Sequence, residues 1–147
     1  MPERAEAERQ AWLCIARIFQ SEETANQFLE AAASQGLTPR QLSILFHIQS
    51  DRPQTMATLA DRCHSTPSYM SNVVDTLVER GLADRRIPPD DRRRKLVVRT
   101  PTGQKAIEGA LEVLSQPPAG FEELTDHQVG QLKDLLMKVA ARYEWSF

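Results

Sequence analysis

The chain has 147 residues, 41% of them hydrophobic and 26% charged, with a net charge of −2. That is the length of one ordinary domain, with apolar content enough for a core and a charge content typical of globular rather than disordered chains. No apolar run approaches the ~20 residues that span a bilayer, and the N-terminal MPERAEAERQ lacks an apolar signal core, so a cytoplasmic protein with no membrane partner is expected.

In chain order, the first element is helical. Glu3 to Gln35 contains neither proline nor glycine, and Trp12, Ile15, Ala16 and Phe19 recur at helical spacing, followed after the polar SEETANQ by Phe28, Leu29 and Ala32. One long helix or two shorter ones would fit, ended by Gly36. Thr38-Pro39-Arg40-Gln41 then has the form of a capping box with proline at the first helical position. It opens a short helix with Leu42, Leu45, Phe46 and Gln49 on one face, stopped at Asp51-Arg52-Pro53. A helix over 57–63 turns its Leu59, Ala60 and Cys63 inward. After His64-Ser65, Thr66-Pro67 starts another, with Met70, Val73, Val74 and Leu77 as a narrow apolar stripe and Gly81 as its stop. Two short helices across a tight turn are a helix-turn-helix candidate.

The period then changes. Residues 82–87 and 95–100 are short, partly β-branched runs around Pro88-Pro89-Asp90-Asp91, which reads as a β-hairpin with a charged tip. Thr100-Pro101 starts a helix carrying Ala106, Ile107, Ala110, Leu111 and Leu114, which Pro117-Pro118 must end. Thr125-Asp126-His127-Gln128 is a second capping box, opening a helix with Val129, Leu132, Leu135, Leu136, Val139 and Tyr143 on one side.

Charge is distributed unevenly over this plan. From Arg80 to Lys105 there are nine basic and three acidic residues, a net +6, so the remainder of a chain totalling −2 carries −8. Most charge runs are solvated loops; this one lies at a hairpin tip directly after a helix-turn-helix, where a polyanion is the expected partner. The order helix-turn-helix then basic hairpin is that of a winged-helix domain.

The residues also carry a family resemblance. LADRCHSTPSYMSNVVDTLVERGLADRRIPPDDRRRKLVVRTPTG resembles the DNA-binding core of the MarR family of bacterial transcriptional regulators, through Leu59-Ala60, Leu77…Arg80-Gly81-Leu82, Asp91-x-Arg93 and Thr100-Pro101-x-Gly103. The resemblance implies a mainly α fold with a small β-hairpin wing: a winged helix-turn-helix core at 37–103 between dimerisation helices at 1–36 and 104–147. Three features depart from the family. Arg99 replaces an apolar residue, so the strand is expected to bury Leu96 and Val98 instead. Asn72 stands where arginine is frequent, which leaves base preference open, and Pro117-Pro118 shortens the helix after the wing.

The expected partner is double-stranded DNA. The candidate contacts on the recognition helix are Thr66, Pro67, Ser68, Tyr69, Ser71 and Asn72, with Asn72 suited to adenine and Thr66 at a helix start that favours phosphate. Arg86, Arg92, Arg93, Arg94 and Lys95 form the candidate wing contact, the arginines matched to a narrow minor groove. By analogy with the family, Asp91 steadies a neighbouring arginine. Trp12, Ile15, Phe19, Leu132, Leu136, Val139 and Tyr143 are the candidate homodimer interface, with Trp145 and Phe147 as further candidates for it.

A small-molecule effector pocket between the dimer helices and the core is implied by the resemblance alone. Some family members sense oxidants through a first-helix cysteine; Cys14 lies there, but in the apolar Trp-Leu-Cys-Ile-Ala, which favours a buried structural thiol over a redox switch. Cys63 reads as core. Two distant cysteines without a CxxC pair argue against a disulfide scaffold, and three scattered histidines against a metal site. No cofactor or catalytic motif is present, so an enzyme is not expected. The competing reading is a winged-helix module that binds an acidic protein instead of DNA.

Overall fold

The computed structural model describes residues 2–143; Trp145 and Phe147 lie outside the described residues. Helix α1 (Pro2–Phe19) and helix α2 (Glu22–Ser34) are separate. The break comes from the polar stretch: Ser21 accepts from the Thr24 amide to cap α2, while the Thr24 hydroxyl donates to the Ile18 carbonyl at 2.8 Å. Then follow α3 (Pro39–His47), β1 (Gln54–Thr55), α4 (Met56–Arg62), α5 (Pro67–Glu79), β2 (Ala83–Arg86), β3 (Leu96–Arg99) and α6 (Pro101–Leu114). A 3-10 helix at Ala119–Glu123 leads into α7 (Asp126–Ala140).

Threonines fix the helix starts. Thr38, Thr55, Thr66, Thr100 and Thr125 each accept an amide from the first turn, and Thr38/Gln41 and Thr125/Gln128 are complete capping boxes. Each such cap stabilises its helix by about 1 kcal/mol. Gly36 and Gly81 stop α2 and α5 with φ of 63° and 72°, values that cost a glycine nothing.

One core joins these elements. Leu42, Ile44, Leu45 and Ile48 meet Leu59, Met70, Val74, Leu77 and Ile107, all fully buried. Small residues let α2 and α6 approach: Ala31 and Ala32 pack in the same cluster as Ala106 and Ala110. The sheet has the order β1-β3-β2, antiparallel throughout, with Ala83 opposite Arg99, Arg86 opposite Leu96 and Gln54 opposite Val97. Strand β1 is two residues long and exists only through that pairing.

The face assignment expected for β3 is corrected by the structure. Val97 and Arg99 share the inner face, with Val97 in the core cluster; Leu96 is half-buried, and Val98 is covered on the other face. Arg99 is only 5% exposed. Its Nη1 donates to the Leu45 carbonyl at 3.4 Å, its amide donates to Gln49 at 3.0 Å, and its Cγ lies against Gly103. The aliphatic stem thus fills an apolar position while the head reaches the carbonyl end of α3. Burial lowers its pKa from the usual arginine range, and Asp51 and Glu108 partly oppose that effect.

The same corner explains Gly103. A Cβ there would collide with the Leu82 carbonyl oxygen, which accepts the Thr100 amide at 3.1 Å. The Thr100 hydroxyl takes the Gly103 amide and donates to the Gly81 carbonyl at 2.6 Å. Backbone meets backbone with no flexible side chain to yield. Gly103→Ala should therefore destabilise by about 1–3 kcal/mol in a denaturant titration, despite the helix propensity gained.

Candidate nucleic-acid interface

The turn between α4 and α5 is set by His64. It takes φ 49°, the left-handed region, while the Ser65 amide reaches the Ala60 carbonyl at 2.9 Å and the His64 amide reaches Asp61 at 3.2 Å. This double closure ends α4 with a histidine where glycine is usual. Thr66 then opens α5, its hydroxyl oxygen accepting the Tyr69 amide at 3.3 Å.

Burying Met70, Val74 and Leu77 decides what α5 presents. At 100° per residue the opposite side carries Ser68, Asn72, Asp75 and Glu79, all exposed, with Thr66 and Pro67 exposed at the helix start. Ser71 falls on the flank toward β2. Its hydroxyl is half-buried and accepts from Arg85 Nη2 at 3.3 Å, and the same nitrogen lies 2.5 Å from Asp75 Oδ1. Arg85 thus neutralises the Asp75 carboxylate and ties the helix to the sheet, with its Nε buried and unpartnered. Ser71 thus braces Arg85 from the flank of the open face. The signal for Arg85 was present in the sequence, since neighbouring strand residues face opposite ways: Arg86 is exposed where Arg85 turns to the helix.

Tyr69 occupies the other flank, 46% exposed, with the Arg40 guanidinium 5.5 Å from its ring centre. Arg40 was not among the expected contacts. Gln54 is buried; with its side-chain amide turned so that donors meet acceptors, its nitrogen faces the His47 carbonyl at 2.9 Å and its oxygen faces Arg62 Nη1 at 2.5 Å. Half-buried His47 has its pKa lowered by burial, with Arg62 and Arg40 acting in the same direction. The Cys63 thiol is half-buried at the end of α4 and packs against the core; burial raises its pKa, outweighing the opposite pull of those two arginines.

The basic run sorts into structural and free cations. Arg80 donates to the Gly36 and Gln35 carbonyls at 2.6 and 3.1 Å, Arg85 is engaged with Asp75, and Arg99 is buried. Arg86, Arg92, Arg93, Arg94 and Lys95 are exposed, and among the described residues none of them forms an ion pair. Asp91 shapes the tip: its carboxylate accepts the Arg93 amide at 3.0 Å, and its carbonyl accepts the Arg94 amide at 3.2 Å. It holds Arg93 by the main chain, which leaves the guanidinium outward.

The outer helices leave their apolar stripes uncovered. Trp12 and Phe19 on α1 are 66% and 73% exposed and Ile15 is half-buried; on α7, Leu136 and Val139 are exposed and Leu132 is half-buried, while Tyr143, expected on the same helix, is exposed just beyond its end at Ala140. No residue of α7 is buried. Cys14 is exposed as well, against the expectation of a buried thiol, because the apolar setting of α1 faces outward from its own chain. The Pro117-Pro118 break is caught by α2: Gln27 Nε2 donates to the Val113 and Gln116 carbonyls at 2.9 and 2.8 Å, and Glu23 accepts the Ala119 amide at 2.8 Å. A cleft of about 360 Å³ opens beside it, lined by residues that include Arg17, Ile18, Glu23, Phe121, Leu124 and Leu132.

Residues 35–94 match the model of the MarR family. No curated protein sequence matches the chain. Among solved structures, the chain is similar to wild-type MarR from E. coli in its apo form, with 24% identity, TM-score 0.68 and 86% of this chain and 93% of that one covered. YusO from Bacillus subtilis gives 24% identity and TM-score 0.67 over 93% and 96%. A MepR variant from S. aureus, solved bound to an oligodeoxyribonucleotide, gives 20% and 0.65 over 90% and 98%. Residues 35–94 thus match the MarR family model, and the chain shares the fold of these solved structures along most of its length.

Proposed function

We propose that the chain is a homodimeric, sequence-specific DNA-binding transcriptional regulator, acting as a ligand-responsive repressor on a palindromic operator. The observation that carries this reading is the pairing of an open helix face with a wing of five exposed cations that form no ion pair among the described residues, in a chain whose other arginines of the same run are spent internally. The oligonucleotide-bound MepR variant shares the architecture. In this reading Ser68 and Asn72 meet base edges in a major groove, Thr66, Pro67 and Tyr69 lie where the helix enters it, and the wing follows the backbone into the neighbouring minor groove. Residues 37–103 are the DNA-binding unit, and 1–36 and 104–147 supply the dimer surface.

The uncovered stripes of α1 and α7 support a dimer, since a second copy gives Trp12, Phe19, Leu136 and Val139 the cover their own chain lacks. The cleft between α1, α2 and α7 borders that surface, so an effector bound there would alter the separation of the two recognition helices. It acts only to the extent that it binds one dimer arrangement better than the other. Selection of bound duplexes from a random pool, followed by titration at several salt concentrations, tests the reading. An enriched inverted repeat with a steep salt slope supports it; capture of acidic proteins without any duplex binding would assign the basic face to a protein partner.

A further inference from the structure

We propose that Arg40, held on the Tyr69 ring, grips a DNA phosphate on the flank of the recognition helix opposite the wing, so that cations bracket α5 on both sides of the groove. The inference rests on the DNA-binding reading above.

It starts from helical geometry. With Met70, Val74 and Leu77 pointing inward, Ser71 and Tyr69 fall on opposite flanks of the exposed face. The Ser71 flank is occupied by Arg85 and the sheet that carries the wing; the Tyr69 flank is occupied by Arg40 from α3. An α-helix with its side chains is about 10–12 Å across, and the major groove of B-DNA is about 12 Å wide. A helix seated there brings both flanks against sugar-phosphate walls, and only one of those walls is served by the wing.

Arg40 suits the second wall. It is exposed and, among the described residues, forms no ion pair. Stacking on Tyr69 restrains a side chain that would otherwise lose rotamer freedom on binding, and it leaves the planar donor edge open to a phosphate. The Tyr69 hydroxyl on the same ring is a further donor. Arg62, fixed on Gln54, adds charge to this side of the molecule, where both guanidiniums act on His47 and Cys63. This patch lies outside the Arg80–Lys105 run, which is why charge counting along the chain passes over it.

The test compares Arg40→Ala, Arg40→Lys and Tyr69→Phe with the wild-type dimer on the selected duplex and on an unrelated one. Circular dichroism and size-exclusion chromatography verify that each variant remains folded. Arg40→Ala should lower affinity for both duplexes by a similar factor, about tenfold, and reduce the salt slope by about 0.9. Arg40→Lys should restore the slope, and Tyr69→Phe should keep it while losing part of the affinity. Arg4→Ala, which removes an ion-paired cation from α1, should leave the slope unchanged; an equal fall there would mean that net charge alone is responsible and would overturn the proposal. So would an unaltered slope in Arg40→Ala, or a change of base preference at defined positions. Failure of the wild-type protein to bind any duplex removes the DNA reading itself, whereas wild-type binding with an indifferent Arg40 removes this inference alone.

Discussion

Changing Arg92, Arg93 and Arg94 together to Ala is expected to weaken binding to cognate and unrelated duplexes alike, by about two to three orders of magnitude near 0.15 M salt. The salt slope should fall by about 2.7, since each neutralised phosphate contributes about 0.9. The reason lies in what these side chains are not doing. Arg80, Arg85 and Arg99 hold the fold together, so losing them would confound stability with binding. The three tip arginines are exposed, and Asp91 arranges their backbone through the Arg93 and Arg94 amides. Their removal should therefore leave thermal stability within about 0.5 kcal/mol of wild type. Filter binding or fluorescence anisotropy at three salt concentrations checks both numbers. Unchanged affinity would mean that the tip is a solvated loop.

A second large effect is expected on α7. Leu132→Glu with Leu136→Glu places two carboxylates in a stripe that no part of the chain's own core covers. If a second copy covers that stripe, the pair must desolvate both charges or separate, and separation is favoured. The variant should run as a monomer at micromolar concentration while its helix content falls little. Two linked half-sites exceed one by about two to four orders of magnitude in affinity, so operator binding should drop by that range. Light scattering coupled to chromatography reads the mass, and anisotropy reads the affinity. A double variant that stays dimeric would move the interface to α1 or elsewhere.

The parts of the structure legible in the sequence were those written in local chemistry. Thr38 with Gln41 and Thr125 with Gln128 announce helix starts because cap and glutamine lie within one turn. Thr66-Pro67 and Thr100-Pro101 do the same, and Gly36 and Gly81 mark stops that need positive φ. The wing showed itself through a change of period and a cluster of charge.

Features that depend on a distant partner were not legible. Strand β1 consists of Gln54 and Thr55 and is defined by Val97 and Leu96, about 40 residues away. The inward face of Arg99 depends on the carbonyl of Leu45 and the missing side chain of Gly103. Ser71 carries a hydrogen bond from Arg85 that its place in the sequence does not announce, and Arg80 looks like part of the basic face until it reaches back to Gln35 and Gly36. Cys14 misled for a related reason: an apolar neighbourhood in sequence implies cover, but α1 turns that neighbourhood away from its own chain.

The central claim is that two copies of this chain set two recognition helices on one duplex. The direct measurement is the mass of the complex formed on a duplex selected from a random pool, together with the symmetry of the selected sequence. The account predicts two chains per duplex on an inverted repeat, with half-sites centred about one helical turn, ~10 base pairs, apart. One chain bound to a site without a repeat, or a pool in which no sequence is enriched, would contradict it.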